Sequence, residues 1–254
     1  MLGPLLALAV CGGWIWLFAD GFAGMRFDLP SKGQHLAFGL GILFVIVMIF
    51  GVQTSAIIAS VVVLQEVGHA VAARSLGIKS VQPRLMPLFA TPATWSIAPI
   101  SGVPTTIIGL AGPGTLAVTA LLALSLFGPI ALTNIALSSL LLLFYIVAAG
   151  YGLLCLVPVV PFTGGRIIAQ LGKRFAMIVG TITILGFIAI TALQYSPISL
   201  AIPIIGVIGL GRIIDKDQPD PEIALTDKIT ILSAFGLIAY ILIMCARPLF
   251  SAII

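Results

Sequence analysis

Leu64-Gln65-Glu66-Val67-Gly68-His69-Ala70 closes a long apolar run, and its reading decides how the rest of the chain is understood. Glu66 is the only carboxylate within the apolar segments, and His69 follows it three residues later. A charged side chain at the centre of a bilayer-spanning helix costs on the order of 2.5–3.5 kcal/mol on insertion scales, so an acidic residue there points first to function. Residues i and i+3 share one side of a helix, so Glu66 and His69 can hydrogen-bond or pair.

The surrounding composition belongs to a membrane. The chain has 254 residues, of which 60% are hydrophobic and 8% charged, and its mean hydropathy is +1.25. Soluble domains carry roughly 25% charged residues. The expected class is therefore an all-α polytopic membrane protein. A formal net charge of +4 is too small to argue for nucleic acid, and no such partner is expected. Cys11, Cys155 and Cys245 lie far apart in apolar segments. Their spacing suggests neither a disulfide framework nor a metal cluster, so they are read as small buried hydrophobes.

A span needs about 20 apolar residues. Leu36 to Ala73 is too long for one, and Gly51-Val52-Gln53-Thr54 is the natural break, giving spans near 36–51 and 55–75. Glu66 and His69 fall late in the second. Upstream, Leu2 to Ala19 forms a first span; no Lys or Arg precedes its apolar core, so it is read as retained rather than as a cleaved signal. Downstream, Ile78 to Pro104 holds Pro83, Pro87, Pro92, Pro99 and Pro104, a density that rules out a helix. Short apolar runs there predict edge strands or a re-entrant hairpin, which survives at membrane depth only when covered by protein or lining a cavity. Further spans are expected near 105–127, 131–156, 176–194, 197–214 and 228–246, eight in all, with Pro158 to Arg174 as a Pro- and Gly-rich loop.

Eleven of the twelve Lys and Arg residues fall in alternate connections, on one side; only Arg247 lies on the other. The positive-inside rule makes the first side cytoplasmic and puts both termini outside. It also brings Glu66, His69 and the 158–166 segment to the cytoplasmic end of their spans. The pattern, without an appended soluble domain, leans toward a bacterial inner membrane.

Three segments carry a resemblance. They are Gln65-Glu66-Val67-Gly68-His69-Ala70, then Gly109-Leu110-Ala111-Gly112-Pro113, then Val157-Pro158-Val159-Val160-Pro161-Phe162-Thr163-Gly164-Gly165-Arg166. In this order the chain resembles the site-2 protease family of intramembrane zinc metalloproteases. The resemblance covers about residues 35–214. It implies a six-helix site-2-protease-like core with a short membrane-associated β-hairpin region within 78–104. Residues 1–34 and 215–254 would then be additions, each a loop and one more transmembrane span.

The resemblance also implies a site. In that family two histidines and an aspartate bind zinc, and a glutamate activates the metal-bound water. Here the first histidine position is Gln65, the second is His69, the glutamate is Glu66 and the aspartate position is Thr163. An asparagine position of the third motif is Cys155. Two of the three ligands are thus replaced by a neutral amide and a neutral hydroxyl. A catalytic zinc site offers three protein ligands and one open position, and without metal nothing lowers the pKa of water toward 7. His35, the only other histidine, and Cys155 are the candidate rescue ligands; the blander reading makes His35 interfacial and Cys155 a core residue. Gly112, Pro113, Pro158, Pro161, Gly164 and Gly165 would line the family's substrate groove.

The leading expectation is a catalytically inactive member with no cofactor, binding another membrane protein or transmembrane segment within the lipid bilayer as a scaffold or regulatory subunit. One alternative is an active zinc metalloprotease with a non-standard ligand set. Another is ion or proton transport through the Glu66–His69 pair. The first span, with Trp14 and Trp16, and the last, flanked by Arg247 and Pro248, are read as facing lipid or a partner, and since aromatic residues are common at membrane interfaces no partner site is read into them.

Overall fold

The structure is a computed structural model that describes residues 2–27, 33–83, 102–194, 201–214 and 223–251. Among these residues every regular element is a helix. They are α1 (Leu2–Leu17), α2 (Ala19–Phe22), α3 (Gly33–Ser75), α4 (Val103–Ala131), α5 (Ile135–Leu156), α6 (Thr163–Gln170), α7 (Lys173–Gln194), α8 (Ala201–Ile214) and α9 (Leu225–Ser251). Five are long and apolar enough to cross a membrane: Leu40–Ser75, Val103–Ala131, Ile135–Leu156, Lys173–Ala192 and Leu225–Arg247. This is compatible with an integral membrane protein. The proposed hairpin of 78–104 lies mostly outside the described residues, and the parts of it that are described form no strand.

The break expected in the second apolar run is at Gly51. Its φ of 77° and ψ of 166° belong to no helix, so α3 is two helices meeting there. Only glycine takes such a conformation without a steric penalty. The α4–α5 connection falls later than Gly128-Pro129. α4 runs through Pro129 to Ala131, and Asn134 opens α5 by accepting a hydrogen bond from Leu137 N at 3.0 Å on its side-chain Oδ1, the usual role of an N-cap amide oxygen. The stretch 158–174 is a correction. Its Pro and Gly content predicts a loop, and the structure places α6 within it.

The chain divides into two compact units. The first comprises Met1–Pro99, Ala111–Leu153 and Leu237–Ile254, and the second Ile100–Leu110 and Leu154–Gly236. In the first unit α1 presents a narrow seam of Ala7, Cys11, Trp14 and Phe18, while Leu5, Leu6, Leu8, Val10, Ile15 and Leu17 are exposed. The seam seats on α4. Trp14 lies where a side chain on Gly114 would project, and its indole Nε1 donates to Thr115 Oγ1 at 3.1 Å. Trp16, two residues on, is 80% exposed. So of the two tryptophans, only the second faces outward. In the same unit Gly152 of α5 admits the Leu242 side chain of α9.

In the second unit Val157, Val159 and Ile184 form a cluster joined by Phe162 and Phe187. α8 is held close by two glycines: a side chain on Gly206 would strike Ile184 and Val159, and one on Gly209 would strike the Val160 carbonyl.

Candidate functional site

The motif helix is the C-terminal half of α3, and its inward face is made of small residues. Val61, Val62, Gln65, Gly68, His69, Ala70, Val71, Ala72 and Ala73 are all buried. Gly68 brings α3 against α4: a Cβ there would meet Ala111 O at 2.6 Å and run into Thr115 Oγ1. Thr115 donates that hydroxyl to Ala111 O at 2.8 Å, so its polar end is satisfied within its own helix. The result is a close crossing in which the Thr115 hydroxyl keeps a hydrogen-bond partner.

His69 is 0% exposed. Its ring fills the space above Gly112, whose absent Cβ would have collided with Nε2, Cε1 and Cδ2 of the imidazole. Pro113, next in α4, is fully buried. Gln65 is also buried and sits one helical turn before His69, with its amide Nε2 3.5 Å from the imidazole Nε2. An amide N–H only donates, so this contact is a hydrogen bond when Nε2 accepts and the ring proton sits on Nδ1. Glu66 is half-buried beside them. The first unit thus brings together Gln65, His69, Gly112 and Pro113, with Glu66 at the margin.

The residues of the third motif belong to the second unit. Cys155 is buried near the end of α5, and Pro158 and Pro161 flank a short turn closed by Phe162 N to Val159 O at 2.9 Å. The Val160–Pro161 peptide bond is cis. Thr163 opens α6. Gly164 and Gly165 have a plain packing reason. A Cβ on Gly164 would lie 2.7 Å from Val157 O, and one on Gly165 2.6 Å from Val159 O. The first turn of α6 is therefore folded back onto the turn that precedes it. Gly109, in the first turns of α4, receives Ile167 and Thr163 of α6 at 3.0–3.6 Å from its missing Cβ. Gln170 at the end of α6 accepts from Gly102 N at 2.9 Å. Arg166 is half-buried, and this burial lowers its pKa from the ordinary guanidinium value. It stays charged at any physiological pH. His35 lies in the first turn of α3, with its side chain outside the described residues.

Beside His69 stands Gln65, a neutral amide and a poor zinc ligand. Against the His69 ring lie the Gln65 amide, whose nitrogen offers hydrogens rather than a lone pair, and the Gly112 backbone. A zinc site needs several deprotonated N, S or O ligands about 2.0–2.3 Å from the ion. Among the described residues no group of three His, Cys, Asp or Glu side chains converges. The Gln65 contact and the close approach of Gly112 fix the position of one buried imidazole.

One buried cation escaped the sequence reading, which counted Arg74 only for topology. It ends α3 fully inside the protein. Its Nε donates to Gly21 O at 2.8 Å, Nη1 to Lys79 O at 2.7 Å and to Val81 O at 3.3 Å, and Nη2 to Ala23 O. Gly21 is pressed onto Val71 of α3, with no room for a Cβ, and Arg26 N donates to Gln82 Oε1 at 2.7 Å. Residues 21–26 and 79–82 are thus tied into one knot. The available signal was Gly21 and Gly24 before Arg26, and Gly77 after Arg74: turn glycines beside a cation at a helix end.

Comparison of the chain with protein-family models, curated proteins and solved structures finds no match.

Proposed function

We propose that this chain is a site-2-protease-like membrane protein without metal-dependent chemistry, which binds another membrane protein or transmembrane segment as a scaffold or regulatory subunit. The observation that carries this reading is the Gln65–His69 contact. Where the family places its first zinc ligand, this chain places an amide whose nitrogen donates toward the surviving histidine. Gly112 shuts the other side of the ring. Glu66 is then a base with no activated water to serve.

The proposed topology has eight spans: α1, the two halves of α3 on either side of Gly51, α4, α5, α7, α8 and α9. Support comes from the glycine break and from the alternation of Lys and Arg between connections. It places both termini outside, with a bacterial inner membrane as the setting.

Metal analysis of the purified chain tests the main reading. The expected result is zinc far below stoichiometric. Tightly bound zinc at one ion per chain, or a cleavage activity that disappears in Glu66→Gln, would overturn it. Reporter fusions at the two termini test the topology: activity of an exterior-only reporter at both ends supports it, and opposite signals at the two ends exclude an even span count.

A further inference from the structure

The knot around Arg74 uses Arg26 and Lys79 only through their backbones. Arg26 gives its amide N–H to Gln82, and Lys79 gives its carbonyl to Arg74. Both side chains point away and are exposed, and neither takes part in an ion pair among the described residues. The knot is rigid, since a buried guanidinium joins four carbonyls across it, so the two cations project from a fixed base. Beside them three large apolar side chains are also exposed: Phe22, Phe27 and Leu76. The knot begins where the apolar span Leu40–Ser75 ends. Asp20 is the one carboxylate among the described residues 19–27 and 75–83.

Cations interleaved with exposed aromatic and aliphatic groups, at the end of a membrane span, match the amphiphilic character of the lipid interface. A soluble anion would make use of Arg26 and Lys79 but leave Phe22, Phe27 and Leu76 in water. A phospholipid satisfies both sets. We propose that the surface formed by Arg26, Lys79, Phe22, Phe27 and Leu76 binds an anionic phospholipid, the headgroup phosphate meeting the two cations and the acyl-chain region meeting the apolar groups. This surface is distinct from the Gln65–His69 pair, and it stands whether or not the protease-like reading does.

The test uses the purified full chain in detergent. It is mixed with phosphatidylglycerol or phosphatidylcholine, and the lipids retained are counted by native mass spectrometry. The wild type is expected to prefer phosphatidylglycerol roughly tenfold, in line with the attraction that each membrane-proximal cation adds. Arg26→Gln/Lys79→Gln should lose most of that preference, while Arg174→Gln/Arg247→Gln, an equal change in charge at other exposed positions, should keep it. Absence of a preference in wild type, or equal loss in both double variants, would overturn the proposal. So would displacement of the lipid by millimolar inorganic phosphate. Should the first double variant melt early, Phe27→Ser decides: weaker lipid retention supports the surface, and unchanged retention refutes it.

Discussion

Gly112 stands where the His69 imidazole leaves no room for a side chain. The two helices that carry them therefore approach to a distance set by one hydrogen atom. Gly112→Ala must displace a fully buried ring. Overpacking of this kind costs about 1–3 kcal/mol. Gly13→Ala, at a position with nothing within 4 Å of the new methyl, should leave the melting temperature unchanged or slightly raised. Thermal melts of the two variants in one detergent check the contrast.

The two tryptophans of α1 should separate in the same assay. Trp14→Phe removes the bond to Thr115 and also the outer ring atoms that lie over Gly114, so the loss should exceed the about 0.5–1.5 kcal/mol of the hydrogen bond alone. Trp14→Ala also opens a cavity, and about 3–5 kcal/mol is expected. Trp16→Ala should be close to neutral, because its ring is outside the packed seam.

Arg74→Lys is not conservative here. A lysine ammonium is a compact charge with three donors, whereas the guanidinium reaches four carbonyls on two loops. A loss of about 2 kcal/mol or more is expected, since hydrogen bonds to charged groups contribute about 1.5–3 kcal/mol each. Limited trypsin digestion checks it directly, with faster cleavage after Arg26 and Lys79 in the variant than in wild type.

Gly165→Ala should be strongly damaging in the second unit. The new methyl would meet backbone atoms of Val159 and Val160 rather than the end of a flexible side chain. Folded yield should fall sharply, while Gly186→Ala, with open space around it, should express as wild type. Size-exclusion profiles of the two variants give the comparison.

These positions also show what the sequence carried. The break in the long apolar run was legible because Gly51 is followed by Gln53 and Thr54, and a polar interruption is informative against an apolar background. The replacement at Gln65 was legible as a change of residue type in a known spacing, but the sequence pointed to Glu66 as the partner of His69, and neither the Gln65 contact nor the closing of the ring by Gly112 was legible, because a contact between α3 and α4 leaves no mark on either segment alone. α6 was hidden by its own glycines. Gly164 and Gly165 look like loop residues, yet they are there so that a helix can fold tightly onto the turn before it. The orientation of α1 was hidden for a different reason. Almost every residue in it is apolar, so periodicity says nothing about which side packs against the rest of the protein. Thr115, which receives the Trp14 indole, is the sole polar hint, and it lies about a hundred residues away.

The tie between Gly21, Ala23, Lys79 and Val81 through Arg74 has a consequence for biosynthesis. The ribosome makes the chain from its N-terminus, so the Gly21 and Ala23 carbonyls are made about fifty residues before the guanidinium that joins them. The Lys79 and Val81 carbonyls follow only after the motif helix is complete. The knot therefore closes late in synthesis, and a nascent chain arrested before residue 74 would leave residues 21–24 without the cation that gathers them.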